Sequence, residues 1–179
     1  DMACDAPLNG SYWVKPDRIL AGPFPAAPIP DVTRMRVEAL LNVGIRDIID
    51  LMEPDERDQD GLPFPHYDSI LSELGKRATL DVEYHRSPIR DMSIPPREQM
   101  VEILDLIDDA VSRNRPVYIH CLGGFGRTGA TVGCYLARHG EAVGKAALER
   151  INKLRTGLYG ASPQTTAQCA MVRKWKQGD

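Results

Sequence analysis

The spacing of apolar residues changes repeatedly along this chain, and each change marks an element. Tyr12-Trp13-Val14 and Arg18-Ile19-Leu20-Ala21-Gly22 read as two short strands around a Lys15-Pro16-Asp17 turn. A proline-rich stretch then leads to a helix over residues 31–41, with Val37, Leu40 and Leu41 inward and Gly44 after its end. Residues 45–51 alternate too little to be half-exposed and predict a core strand. Pro, Asp, Glu and Gly follow in irregular order over residues 53–80, a loop with one short helix near residues 70–76. Residues 82–85 return to a strand pattern that runs into Pro88-Ile89-Arg90-Asp91. From Pro96, which fits a first turn, Met100, Ile103, Leu104, Ile107 and Val111 keep helical spacing to residue 112. Val117–His120 is a strand, and a helix runs from Thr128 to about His139, with Gly140 as its stop. Residues 142–154 predict a helix burying Ala147, Leu148, Ile151 and Leu154, and Ser162-Pro163 reads as the N-cap and first residue of the last one. Strands with intervening helices and a helical C-terminal half give an α/β class, with residues 1–179 as a single domain.

Composition changes this picture little. The 179 residues are 42% hydrophobic and 26% charged, as in an ordinary globular protein. A net charge of −3 gives no reason to expect a nucleic-acid partner and argues mildly against a surface built for anionic lipid. No window approaches the roughly 18 apolar residues of a membrane span, and no leader pattern is read. Cys4, Cys121, Cys134 and Cys169 match neither a zinc site nor a disulfide framework, so no metal or cofactor is expected. Cys134 and Cys169 read as packing residues.

The chemistry concentrates in Val117-Tyr118-Ile119-His120-Cys121-Leu122-Gly123-Gly124-Phe125-Gly126-Arg127-Thr128-Gly129. A β-rich run delivers a His-Cys pair into a glycine-dense loop that ends at an arginine and a helix. Glycines let backbone N–H groups turn inward without a Cβ in the way, and the helix N-terminus adds positive potential. Arg127 supplies a planar fork that can hold two phosphate oxygens. Phosphate, sulfate or vanadate would sit in the loop formed by Leu122, Gly123, Gly124, Phe125, Gly126 and Arg127, above the Cys121 sulfur. A free thiol has a pKa near ~8.5, and cations and helix N-termini lower it, so the site that holds an anion also favours a nucleophilic thiolate. The chemistry implied is attack on phosphorus to give a thiophosphoryl-cysteine that water then cleaves.

His120-Cys121, five residues, then Arg127-Thr128-Gly129 resembles the signature loop of the cysteine-dependent protein tyrosine phosphatases, in their compact, dual-specificity-like branch. The likeness extends from about Tyr12 to Trp175, strongest at this loop and at Pro88-Ile89-Arg90-Asp91, weakest at residues 53–80. It implies a central mixed sheet flanked by helices, with the phosphate loop between a strand and a helix. A leaving alkoxide or phenoxide needs a general acid. Asp91 stands on a loop that can swing over a bound phosphate, and the family carries its acid some thirty residues before the cysteine, as here. A cap on the next helix is the alternative use for Asp91, and Asp47 and Asp50 are weaker rivals inside a strand. Thr128 would place a hydroxyl near the sulfur, and His120 reads as a buried support for the loop rather than a base. The family positions its hydrolytic water with a late glutamine. Gln164 and Gln168 share a face with Met171, Val172 and Trp175, and either can fill that role. His66, His85 and His139 are expected at the surface or rim, without matching partners.

Between Cys121 and Arg127 no residue is charged, which favours a phosphorylated protein or peptide, or a simple aryl phosphate, over a polyphosphorylated inositol. The thiolate requires reducing conditions, which points to the cytoplasm. The competing readings are a phospho-binding module without turnover, sulfur transfer or arsenate reduction, and, nearest within the enzyme class, an inositol-phosphate or phosphoinositide phosphatase.

Overall fold

A computed structural model describes residues 5–179. Five strands form one sheet in the order β1-β2-β5-β3-β4, with β1 at Tyr12–Lys15, β2 at Ile19–Gly22, β3 at Asp47–Asp50, β4 at Glu83–Arg86 and β5 at Val117–His120. β1 pairs antiparallel with β2, and the other pairings are parallel, so the sheet is mixed as expected. The helices are α1 (Pro30–Asn42), α2 (Asp68–Arg77), α3 (Arg97–Ser112), α4 (Arg127–Arg138), α5 (Lys145–Leu154) and α6 (Thr166–Lys174).

The inner strands are buried on both faces, which is why their sequence runs apolar without alternation. Ile19, Ala21, Ile49, Val117 and Ile119 face one apolar cluster with Met100, Ile103, Leu104 and Ile107 of α3 and with α4. Leu20, Ile48 and Tyr118 face the other, with Leu40 of α1 and Leu71 and Leu74 of α2. β5 lies at the centre, and its register puts Gly22 and Asp50 on either side of His120. The C-terminal ends of three parallel strands therefore open at one edge, where open α/β sheets place their ligands. α4 starts from that edge and is buried along nearly its whole length, packed against α3, α5, α6 and the sheet.

The last helix departs from expectation. It begins at Thr166, not at Ser162-Pro163. Thr165 is its N-cap: the Thr165 hydroxyl accepts from the Gln168 N–H at 3.1 Å, and the Gln168 carboxamide oxygen accepts from the Thr165 N–H at 3.1 Å. This reciprocal pair satisfies two terminal donors at once and outcompetes the Ser-Pro start. The Ser162 hydroxyl instead donates to the Phe125 carbonyl at 2.5 Å. Smaller shifts have similar causes. Pro96 is the N-cap of α3 rather than within its first turn, and Leu148 and Leu154 of α5 are only partly buried.

The histidines also need correcting. His139 has Asp108 at 2.7 Å, and His85 lies 3.4 Å from Glu83 and 3.7 Å from Asp47. Asp108 lies 31 residues from His139 and Asp47 across the sheet from His85, where spacing gives no sign of them, whereas Glu83 is two residues before His85 on the same strand. Asp47 itself is buried and accepts from Arg115 at 2.6 Å, and Asp50 accepts from the Tyr84 hydroxyl at 2.6 Å. Both carboxylates are spent on holding strands together. Among the described residues no helix is long and apolar enough to cross a membrane.

Candidate active site

Cys121 follows β5 directly and is buried, its side chain a free thiol at the edge of the sheet. The loop after it is shaped by contact with β2. Gly124 has φ +81°, and a Cβ there would come within 2.7 Å of the Gly22 carbonyl carbon, so only glycine fits. The Phe24 N–H donates to the Leu122 carbonyl at 3.0 Å and pins the start of the loop. Among the described residues, the amides of Gly123, Gly124, Phe125 and Gly126 have no backbone or side-chain acceptor. Four consecutive free N–H groups leading into a helix N-terminus form a site suited to an anion.

Arg127 opens α4 and is 2% exposed. Its guanidinium bonds both carboxylate oxygens of Glu56, the Nη2 contact being 3.2 Å, and donates to the Ile89 carbonyl at 2.9 Å. Its Nη2 also lies 3.2 Å from Asp91 Oδ1, and its Nε has no partner. Burial alone would pull the arginine pKa down. The Glu56 bond and the charges of Cys121, Glu56 and Asp91 more than offset this and raise it, so the side chain stays cationic. Removing one partner of a buried pair typically costs ~3–5 kcal/mol, because the other charge is stranded. Glu56 therefore fixes both the charge and the orientation of the arginine. Sequence reasoning missed it because it falls in the irregular stretch after β3, where only the acidic run Glu53-Pro54-Asp55-Glu56 could have marked it.

Asp91 is half-exposed on the loop before α3, and its Oδ1 accepts from the Met92 N–H at 2.9 Å. α3 starts six positions later, at Arg97, so Asp91 does not cap it. Its carboxylate reaches Arg127, which leaves it at the anion loop with freedom to move.

His120 is fully buried. One ring nitrogen lies 2.6 Å from the Tyr67 hydroxyl and the other 3.0 Å from the Cys121 carbonyl. Burial lowers its pKa, only partly countered by Asp50, so the imidazole is neutral at neutral pH and braces the loop through hydrogen bonds. A stability prediction follows from the sign of that shift. Above the ordinary histidine value of ~6.5 both folded and unfolded chains hold a neutral ring. As pH falls below it, the unfolded chain takes up the proton first, so this contribution to stability is lost until the lower folded value is passed. Urea unfolding between pH 7.5 and 5.5 should show wild type losing stability faster than His120→Asn, by at most about 1.4 kcal/mol per pH unit. Parallel curves would show that His120 does not stay neutral.

The Thr128 hydroxyl is buried without a partner. The two glutamines are separated by their contacts. Gln168 is fully buried, its oxygen accepting from the Gln164 and Thr165 N–H groups and its Nε2 donating to the Ser93 carbonyl at 3.3 Å. Gln164 is exposed, and its carboxamide oxygen lies beside Gly126, 2.6 Å from where a Cβ would stand.

A family model described as a polymorphic toxin system DSP-PTPase phosphatase matches residues 28–141. The chain belongs to this family. It is a compact, dual-specificity-like member of the cysteine-dependent protein tyrosine phosphatase superfamily. It is 25% identical over 178 residues to mouse protein tyrosine phosphatase domain-containing protein 1, covering 95% of this chain and 22% of that protein. The chain thus spans about a fifth of the length of this relative. Among solved structures, Tk-PTP in its active form superposes with a TM-score of 0.71 at 22% identity, covering 93% of this chain and 96% of that one. PTPMT1 in complex with PI(5)P gives 0.67 at 17% identity, covering 93% and 94%. At these identities the likeness is one of fold.

Proposed function

We propose that the chain hydrolyses phosphotyrosine monoesters in proteins or peptides, with phosphoserine and phosphothreonine as further substrates, through a thiophosphoryl-cysteine. The observation that carries this is the convergence on one strand end of Cys121, Arg127 and an acid about thirty residues upstream, with Asp91 Oδ1 3.2 Å from Arg127 Nη2. Cys121 attacks phosphorus as the thiolate, forming the S–P bond as the ester P–O bond breaks. Asp91 gives its proton to the departing oxygen. Water then attacks phosphorus, Asp91 takes back a proton, and the S–P bond breaks to release inorganic phosphate and the thiolate.

The free amides from Gly123 to Gly126 and the Arg127 fork stabilise the charge on the transferring phosphoryl group. Thr128, with its unpartnered buried hydroxyl, supports the thiolate as leaving group. Gln164 is favoured over Gln168 for positioning water, since the Gln168 carboxamide is committed to the α6 cap and Ser93. Leu122 and Phe125 add no charge, which suits a singly phosphorylated substrate. No step calls on a metal, and the need for a reduced thiol supports action in the cytoplasm.

The test is single-turnover hydrolysis of a labelled aryl phosphate in EDTA with reductant, quenched with acid. Phosphate release indifferent to EDTA, with label transiently retained on the peptide containing Cys121, is expected. Neither release nor label, with a phosphopeptide still bound, would favour a binding module without turnover.

A further inference from the structure

Tyr159 is 89% exposed, more than any other large apolar or aromatic side chain among the described residues. Such a residue is ordinarily mobile and carries no message, but its backbone here is held. Arg155 is 4% exposed and donates to the Tyr159 carbonyl at 2.9 Å and the Gly160 carbonyl at 3.0 Å. The same guanidinium lies 4.9 Å from the Phe125 ring centre and 5.7 Å from that of Tyr12, a buried cation between two aromatic faces.

The segment that carries Tyr159 runs along the anion loop. Ser162 bonds the Phe125 carbonyl, and Gln164 and Gln168 both border Gly126. Gly160, at φ +84°, comes so close to Phe125 that a Cβ would stand 2.9 Å from its ring. From the other side, a Cβ on Gly123 would come within 2.6 Å of that ring. Phe125 is thus wedged between the anion loop and this segment. The Tyr159 ring stands edge-on to it, centroids 6.4 Å apart and planes at 77°. Phe125 and Tyr159 together form an aromatic wall whose inner end is part of the anion loop and whose outer end is in solvent.

We propose that Tyr159 is a specificity-determining residue, which with Phe125 packs against the ring of a phosphotyrosine substrate and favours aryl over alkyl phosphates. This rests on the phosphatase reading above. A phosphate seated on the loop amides holds its ester oxygen outward, and a six-membered ring beyond that oxygen extends past Phe125 toward Tyr159. A phosphoserine side chain is shorter and brings no ring to pack. The tyrosine is suited to the task because its backbone is fixed by Arg155, so little freedom is lost when a second ring packs on it.

The test uses two peptides of one sequence, carrying phosphotyrosine or phosphoserine, and the variants Tyr159→Ala and Tyr159→Phe. Since Tyr159 is exposed, neither variant disturbs the core. An aromatic contact is worth up to about tenfold, so Tyr159→Ala should lower kcat/KM for the phosphotyrosine peptide about 5- to 10-fold and leave the phosphoserine peptide within about 2-fold. Tyr159→Phe should keep the wild-type ratio. An unchanged ratio in Tyr159→Ala, or an equal fall for both peptides, overturns the proposal. Should wild type turn over neither peptide, the phosphatase reading fails by itself, and peptide binding then judges the wall. A phosphotyrosine preference in Kd that Tyr159→Ala removes would sustain it, and equal Kd values for the two peptides would overturn it.

Discussion

Cys121→Ser should lower kcat on aryl phosphates by about four orders of magnitude or more, as removal of a nucleophile does in enzymes that act through a covalent intermediate. A serine hydroxyl stays protonated at neutral pH, and in the proposed first step Asp91 already holds the proton meant for the leaving group, so it cannot take another from the serine. His120 is held neutral by burial, but its two nitrogens are engaged by Tyr67 and the Cys121 carbonyl. Anion binding should survive, because it rests on the loop amides and on Arg127, none of which the substitution touches. The exchange replaces one small buried atom by another, so the fold should hold. Measured side by side, kcat should collapse while the Kd for inorganic sulfate or a phosphopeptide stays within about 3-fold. A variant that retained a tenth of wild-type turnover would exclude Cys121 as the nucleophile. One that lost anion binding along with turnover would show that the sulfur shapes the loop rather than reacting.

Much of this site was legible because its parts are local. Strand, His-Cys pair, glycines, Arg127 and helix start are contiguous, and the backbone they require follows from residue type alone. The same holds for β2, β3 and β5, whose buried runs are bounded by turn residues, and for β1 and β4, whose strand patterns are short and local. Legibility ended where the structure depends on pairing across the fold. Glu56 binds Arg127 from the segment between β3 and α2, and Tyr67 reaches His120 from a position that reads as loop. Neither has a spacing relation to its partner. Arg155 is the clearest case. In sequence it ends a helix pattern like any solvent-facing arginine, yet its guanidinium is buried between Tyr12 and Phe125 and orders the segment beside the anion loop. The start of α6 differs in kind. Thr165-x-x-Gln168 is a capping box readable from sequence, and it competes with the equally local Ser162-Pro163 signal three residues earlier.

Asp91→Asn should produce the second-largest effect, and only where the leaving group needs a proton. General acid catalysis is worth roughly 10²–10⁴-fold, so hydrolysis of an alkyl or unactivated aryl phosphate should fall within that range. A strongly activated aryl phosphate, whose leaving oxygen departs as a stable anion, should lose only a few-fold. The geometry makes asparagine a clean replacement. The Asp91 Oδ1 accepts from the Met92 N–H, a bond an amide oxygen can keep, so the turn at the head of this loop is preserved. What disappears is the transferable proton, together with the charge beside Arg127. Equal losses on good and poor leaving groups would instead assign Asp91 to holding Arg127, as Glu56 does. Unchanged rates on both would leave Asp91 outside the reaction and move the search for the acid to the rest of its loop.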